Sequence, residues 1–541
     1  MKYNYKYILI ISALVLSQLC LSLPIAGQNR KNVQEKCLYH FEDLQKKQTW
    51  TDSYNAAGLH FIDFRSSSII EAYMGKNDGG LVRNYESDNS YNFGLRSSSY
   101  TKINKTTFFG KIDYNNYTGK NTRWSGLIYP ERYLLSVAND NPGDFVKESY
   151  KLSGGISTPI ANNLFIGMLI NYETALAAKR RDLRHRTDLL DFEATGGLAY
   201  KTGHLNIGVN YYYRKFFEKV AFSKVADDDV VYQGYFFKGL WFGMVGTWTQ
   251  EALNMKEALP VTDVQQGGSI QLELVMDNFR FFNEFTYKSQ EGLSGKGEDK
   301  AFAQSDTKIY EYKGKAQYET KTLRHYLNFS TRYSDAVSYD KVTTQEKIGG
   351  LEFTFFYGLN RAFSKRNFNM NAEYNVAFGR YKCNPGLDLK VGYNHMSQSA
   401  LSSLISPFYF TQDFKVNTGY LKARKNFTFN KGMFDINLSA VYGKGSGNKL
   451  TQHISTTAAG DVSEDLIPEL QETLLNREFE YITAGKLQGS IGGRYSHFVS
   501  INKSGGSIYL DASYSFLKAY NVQYQPEDKS GFFNIVLGYS F

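Results

Sequence analysis

The chain has 541 residues, of which 42% are hydrophobic and 21% charged, and its mean hydropathy is -0.42. That is too polar for a bundle of spanning helices, each of which needs about 20 consecutive apolar residues. The formal net charge of +9 is a mild basic bias and not a nucleic-acid signature, so no nucleic-acid partner is expected. With 42 Tyr, 39 Phe, 47 Gly and only 9 Pro, the composition favours strands joined by glycine-containing turns, and no linker divides the chain into domains.

Residues 1–27 have the pattern of a secretory signal peptide. Lys2 and Lys6 precede an apolar run from Ile8 to Leu16, and the small residues Ala26 and Gly27 place cleavage near Gln28. The run is too short to span a membrane, and Leu19 stands before Cys20 where lipoprotein processing expects a small residue. Cleavage removes two lysines and no acids, leaving +7. The remaining Cys37 and Cys383 have no metal-site spacing, and export permits a disulfide between them without indicating one.

Residues 28–67 are expected to be an N-terminal periplasmic tail or a lumen plug. Within them Cys37, Phe41 and Leu44 recur at helical spacing with Leu38 beside them, which predicts a short amphipathic helix.

From residue 68 to 541 the dominant period is two, which sends alternate side chains to opposite faces of a strand. Leu205, Ile207, Val209, Tyr211 and Tyr213 oppose Asn206, Gly208, Asn210, Tyr212 and Arg214. Ile508, Leu510, Ala512, Tyr514 and Phe516 form another apolar face, and Phe533, Ile535, Leu537, Tyr539 and Phe541 form the last. Many such faces end in tyrosine, as a membrane-interface girdle does. The apolar faces run to about 9–11 residues, the length a tilted strand needs to cross hydrocarbon, whereas strands of a soluble sandwich average about 5–6.

The expected fold is therefore all-β: a single-chain antiparallel transmembrane β-barrel of about 16–18 strands, within a range of about 14–20, since such barrels close with an even number. Between Asn360 and Phe410 the alternation of short and long loops is ambiguous, and GLWFGMVGTW at 239–248 fits either a strand or a packed part of a long loop. The polar residues Asn206, Asn210, Arg214, Lys486, Gln488, Arg494 and Asp511 are candidates for the lumen wall.

Three loops carry further chemistry. KRRDLRHR at 179–186 offers Arg180, Arg181, Arg184 and Arg186 for lipopolysaccharide phosphates or carboxylate ligands, because guanidinium forks suit both. The alternative is a solvated loop balanced by Asp182 and Asp188. Asp227, Asp228 and Asp229, and the stretch Asn139 to Asp144, carry oxygen ligands for calcium but lack the EF-hand spacing. The late loop at 443–479 contains Leu466, Ile467, Leu470 and Leu474 on one helical face, with Ser463 as a candidate cap; it suits a lid over the barrel mouth or a helix packed on its own barrel. None of the eight histidines belongs to a local metal or catalytic motif.

Taken together, the leader, the repeated amphipathic strands and FFNIVLGYSF resemble single-chain bacterial outer-membrane β-barrels, and the texture is similar to that of an uncharacterised barrel family. The resemblance implies that Phe533, Ile535, Leu537, Tyr539 and Phe541 present the signal read by the barrel-assembly machinery. Nearer the front, Trp50, Ser53 and Asn55-Ala56-Ala57-Gly58-Leu59 resemble the Asn-Pro-Ala-Gly-Leu segment of fatty-acid-transporter-like barrels, where an N-terminal segment acts as a hatch in the lumen; here Ala56 replaces the proline and its kink.

These readings predict an outer-membrane channel or transporter-like barrel for small solutes, without catalytic residues, metal or cofactor. A surface binding or assembly component anchored by its barrel is the alternative. Expected partners are outer-membrane lipids and lipopolysaccharide, the assembly machinery, and a surface or periplasmic protein.

Overall fold

The computed structural model describes residues 41–46, 48–63, 66–226, 229–241, 243–247, 259–296, 300–379, 384–405, 408–429, 431–454, 469–501 and 504–541. The leader, Cys37, Leu38, Cys383, Asp227, Asp228, Ser463, Leu466 and Ile467 lie outside them.

Eighteen strands, from Ser66–Asp78 to Lys529–Ser540, pair antiparallel with their sequence neighbours. The circle closes where the last strand pairs with the first, with Ile69 opposite Ser540 and Asp78 opposite Gly531. Ser68 and Phe541 exchange backbone hydrogen bonds of 2.9 and 3.0 Å at that seam. Closure satisfies every edge, as a structure surrounded by lipid must. No helix among the described residues is long and apolar enough to cross a membrane; the strands make the crossing.

The period-two faces sort as expected. Ile207, Val209, Tyr211, Ile508, Leu510, Tyr514, Leu537 and Phe541 are exposed on the outer surface, while Tyr212, Tyr509 and Val536 between them are buried. The start of the first strand and the end of the last lie at one rim, that of the tight turns such as Asn104-Lys105, Asn162-Asn163, Gly203-His204 and Asp277-Asn278. In outer-membrane barrels that rim faces the periplasm.

The two longest strands are Leu323–Ile348 and Leu351–Phe378, the second of which runs into the stretch from Asn360 to Phe410 where the loop alternation is ambiguous. They are joined by Gly349-Gly350, with φ of 60° and 85°, the left-handed pair a tight hairpin turn needs. Beyond Asp340 and Phe363 neither strand pairs with its other barrel neighbour, so residues 341–362 form a two-stranded ribbon above the outer rim.

The segment GLWFGMVGTW also resolves. Gly243–Thr247 pairs with Gln233–Phe237, which pairs with Ser136–Ala138, in a small sheet separate from the barrel. The late loop contains helix Glu469–Thr483. Its Leu474 is buried with Trp124, Ala138, Tyr235 and Phe237 of this outer assembly.

Candidate functional site

Residues 41–62, the described part of the segment expected as tail or plug, pack against the inner wall. The helix Phe41–Lys46 is followed by 3-10 turns at Thr49–Asp52 and Ala56–Phe61. All of them pack against the inward faces of strands near the periplasmic rim. Of the predicted amphipathic face, Phe41 is buried against Tyr100 with ring centroids 5.8 Å apart, and Leu44 is half-buried. Trp50 is 3% exposed among Ala57, Phe165, Ala199 and Phe282.

Asn55 shows why this stretch folds as it does. Its Oδ1 accepts from Ala57 N at 3.0 Å, capping the second 3-10 turn, and its Nδ2 donates to Leu198 O at 2.9 Å and Gln271 Oε1 at 2.9 Å. The missing proline at Ala56 does not keep the segment out of the lumen, because capping and small side chains set the turn instead. Wall glycines make room for it: a Cβ on Gly167 would sit 2.2 Å from Ala57 N, and one on Gly197 2.2 Å from Asn55 Oδ1.

Three wall carboxylates on consecutive strands hold the plug. Glu273 accepts from Thr49 Oγ1 at 2.5 Å, Trp50 Nε1 at 2.6 Å and Asn206 Nδ2 at 2.7 Å. Glu284 accepts from Ser53 Oγ at 2.7 Å and Tyr54 N at 3.1 Å. Glu311 accepts from Tyr54 OH at 3.0 Å. Burial, reinforced by the Glu311 charge, raises the Tyr54 hydroxyl pKa and keeps it a neutral donor. Burial lowers His60 to about 4, aided by Lys102 and Lys201, so its ring stacks neutral on Phe165 at 3.9 Å. Elsewhere on the wall Arg424 Nη2 donates to both carboxylate oxygens of Asp43, at 2.7 and 2.8 Å.

The outer mouth is also covered. Tyr133 OH donates to Glu218 at 2.9 Å, Tyr129 OH to Glu173 at 2.6 Å, and Arg132 pairs with Asp191 at 3.2 Å, fixing the 123–142 loop inside the rim. Helix Glu469–Thr483 is tied down by Glu480, which accepts from the backbone amides of Tyr524 at 2.7 Å and Gln525 at 3.1 Å. Asn84 Nδ2 donates to Leu474 O at 2.8 Å, and Arg83 lies 3.7 Å from Glu478, whose carboxyl burial raises in pKa.

Between plug and cap lie two cavities of about 520 and about 450 Å3, sharing Tyr54 and Arg332 in their walls. The first reaches Arg83, Lys313, Lys486, Asn369, Asn371, Asn394 and His395. The second reaches Arg132, Arg214, Lys288, Lys365, Glu131, Glu193 and Asp263. With Glu311 added, eight basic side chains line this chamber against four acidic ones.

The residues singled out from sequence distribute unevenly. Arg214 and Lys486 line the chamber; Lys486 Nζ donates to Tyr481 O at 2.6 Å. Asn206 and Asn210 support the wall around the plug through Glu273 and Gln271. Arg494, 3.7 Å from Glu71, and Asp511 line smaller cavities elsewhere in the lumen, and Gln488 shares the alternation of Lys486 and Arg494. Arg180, Arg181, Arg184 and Arg186 are exposed at the outer rim and line neither chamber cavity. Arg184 bonds Asp182 at 2.9 Å and Arg186 bonds Asp188 at 3.2 Å, the local charge balance that a solvated loop implies. Asn139, offered for calcium, instead accepts from Lys179 Nζ at 2.6 Å, and Asp144 accepts from Lys120 Nζ at 2.6 Å. No group of three or more His, Cys, Asp or Glu residues able to hold a metal occurs among the described residues. Phe533, Leu537 and Phe541 face outward on the closing strand.

A closed antiparallel barrel with an apolar outer belt and a polar, occupied lumen is of the outer-membrane kind. This chain belongs to the family of unknown function DUF6850, which matches residues 56–541. No curated protein matches it. Among solved structures it is similar to the copper transporter OprC, with 10% identity over 88% of this chain and 81% of that one and a TM-score of 0.36. It is also similar to the RagAB peptide importer in its closed-closed state, with 8% identity, coverage of 88% and 86%, and a TM-score of 0.38. A third is BauA, the ferric preacinetobactin receptor of Acinetobacter baumannii, with 9% identity, coverage of 88% and 80%, and a TM-score of 0.35.

Proposed function

We propose that the protein is a gated conduit for small solutes in the outer membrane, shut on the periplasmic side by residues 41–62 and opened when that segment leaves its carboxylate anchors. The observation that carries this reading is the chamber between plug and cap, with eight basic and four acidic side chains in its wall. Wall side chains cannot fill a barrel of 18 strands, and plug and cap leave this space open between them. The plug is held by side-chain hydrogen bonds to wall carboxylates together with two small apolar clusters around Phe41 and Trp50, while the strands of the wall close on one another without it. The rim arginines Arg180, Arg181, Arg184 and Arg186 would meet lipopolysaccharide phosphates, and the outward face ending at Phe541 would engage the assembly machinery.

Planar-bilayer recording tests the reading. The full chain is expected to show little current, and a variant lacking residues 41–62 stepwise conductance. If the deletion variant folds, as judged by heat-modifiable electrophoretic migration, and conducts no more than its parent, the conduit reading fails.

A second reading, a surface-binding or assembly component, is favoured by the ribbon at 341–362. It exposes Val342, Ile348, Leu351, Phe356, Tyr357 and Leu359 above the rim, an apolar surface that a protein partner would cover. Removing the ribbon would then abolish partner capture while leaving conductance unchanged.

A further inference from the structure

We infer that the chamber takes a small hydroxylated organic anion, a sugar acid or a sugar phosphate, and that Lys365 is its specificity-determining contact. The inference rests on the conduit reading and names the class of solute it serves.

Lys365 differs from the other chamber cations. Lys288 and Arg332 already share Glu311 at 3.4 and 3.2 Å, and Arg132 and Arg214 share Asp191. Lys365 faces the second cavity and has no hydrogen-bond or ion-pair partner among the described residues. Its register explains this: its cross-strand neighbours are Ala336 and Ala400, which offer no acceptor. Glu478 and Glu131 reach Lys365 only through space, so the partly buried ammonium lacks a contacting counter-ion among the described residues, and an incoming carboxylate or phosphate would supply one.

The surrounding wall selects for hydroxyls. Asn367, two residues along the same face, has a buried Oδ1 without a donor. Ser305, Thr307, Ser334 and Ser338 line the same cavity, and none of their hydroxyls has a hydrogen-bond partner among the described residues. Free hydroxyls both donate and accept, and the vicinal hydroxyls of a sugar do the same. A purely apolar acid would leave these groups unpaired, which disfavours it. The cavity of about 450 Å3 falls within the roughly 300–1,000 Å3 typical of small-molecule sites.

Equilibrium dialysis of the detergent-purified full chain tests this without requiring passage through the barrel. Radiolabelled glucuronate and glucose 6-phosphate are the anionic probes, with glucose and glucosamine as neutral and cationic counterparts. At least one anion is expected to bind ten-fold or more tightly than glucose, and which one binds separates carboxylate from phosphate recognition. Lys365→Gln should weaken that binding about ten-fold, the loss of one charge-assisted hydrogen bond, and Lys365→Arg should retain most of it; heat-modifiable migration confirms that each variant is folded. Binding of neither anion, equal binding of glucose, or parental affinity in Lys365→Gln would overturn the inference. Each of those results leaves the bilayer test of the conduit unaffected.

Discussion

Trp50 Nε1 donates to Glu273 Oε2 at 2.6 Å while the indole is buried against Phe282, joining the plug to the wall through one polar and one apolar contact. Glu273 is only 1% exposed and also accepts from Thr49 and Asn206. Its carboxylate is therefore the shared acceptor for three donors that have no water to turn to.

Glu273→Ala should release the plug. Removing the carboxylate leaves those donors unsatisfied, at about 1–3 kcal/mol for each buried group that finds no new partner. Limited proteolysis of residues 41–62 should become at least ten-fold faster, and bilayer leak should rise. Glu273→Gln keeps one acceptor oxygen and is expected to fall between the two. Parental cleavage rates in Glu273→Ala would show that the apolar packing of Trp50 suffices alone.

The docking of the plug should depend on pH through His60. Its pKa is lowered to about 4 in place, against about 6.5 when free, because burial and then Lys102 and Lys201 disfavour the charged ring. A depressed histidine contributes fully above about 6.5, where both states are neutral, and its contribution falls as pH drops toward about 4 because only the free plug takes up the proton. Leak should therefore rise between pH 7 and pH 5. In His60→Phe, which stays neutral and keeps a ring against Phe165, that slope should flatten; an unchanged slope would place the titrating group elsewhere.

Much of the barrel is visible in the sequence, and most of the site is not, for reasons that individual residues show. Alternation along Ile207, Val209 and Tyr211 is local, so the outward faces and the closing strand emerge from single segments. The count was harder because the ribbon at 341–362 runs on beyond the rim, and register shifts at Ser338/Tyr339 and Val342/Thr343 interrupt the alternation. Lys365 falls inside that ambiguous stretch. Nothing local in the sequence marks Glu273, Glu284 and Glu311, because their plug partners lie more than 220 positions away in the chain. Arg214 and Lys486 were recognisable as inward-facing, but nothing local distinguished them from Asn206, which supports the wall instead. The Asn55 to Leu59 segment did carry a signal: an Asx cap followed by Ala-Ala-Gly marks a tight, closely packed turn.

The cap should open when Glu480 is removed. This carboxylate gathers the backbone amides of Gln523, Tyr524 and Gln525, and no other carboxylate of the described residues replaces it there. Glu480→Ala should expose helix Glu469–Thr483 and the 521–528 loop to protease added outside intact cells, while leaving the plug protected. Cleavage of the plug in the same variant would mean that the two covers are coupled through the chamber.

Adjacent glycines separate steric support of the plug from general strand effects. A Cβ at Gly197 would lie 2.2 Å from Asn55 Oδ1, whereas one at Gly196 meets nothing within 4 Å. The two residues point to opposite sides of the wall, as strand alternation requires. Gly197→Ala must therefore push Asn55 from its place and weaken its bonds to Leu198 O and Gln271, each worth about 0.5–1.5 kcal/mol. Gly196→Ala adds only a methyl group to the lipid-facing surface. Bilayer leak in Gly197→Ala should approach that of Asn55→Ala, and Gly196→Ala should match the parent. Equal leak in both glycine variants would point to a strand defect and remove the close approach of Asn55 as the reason Gly197 is needed.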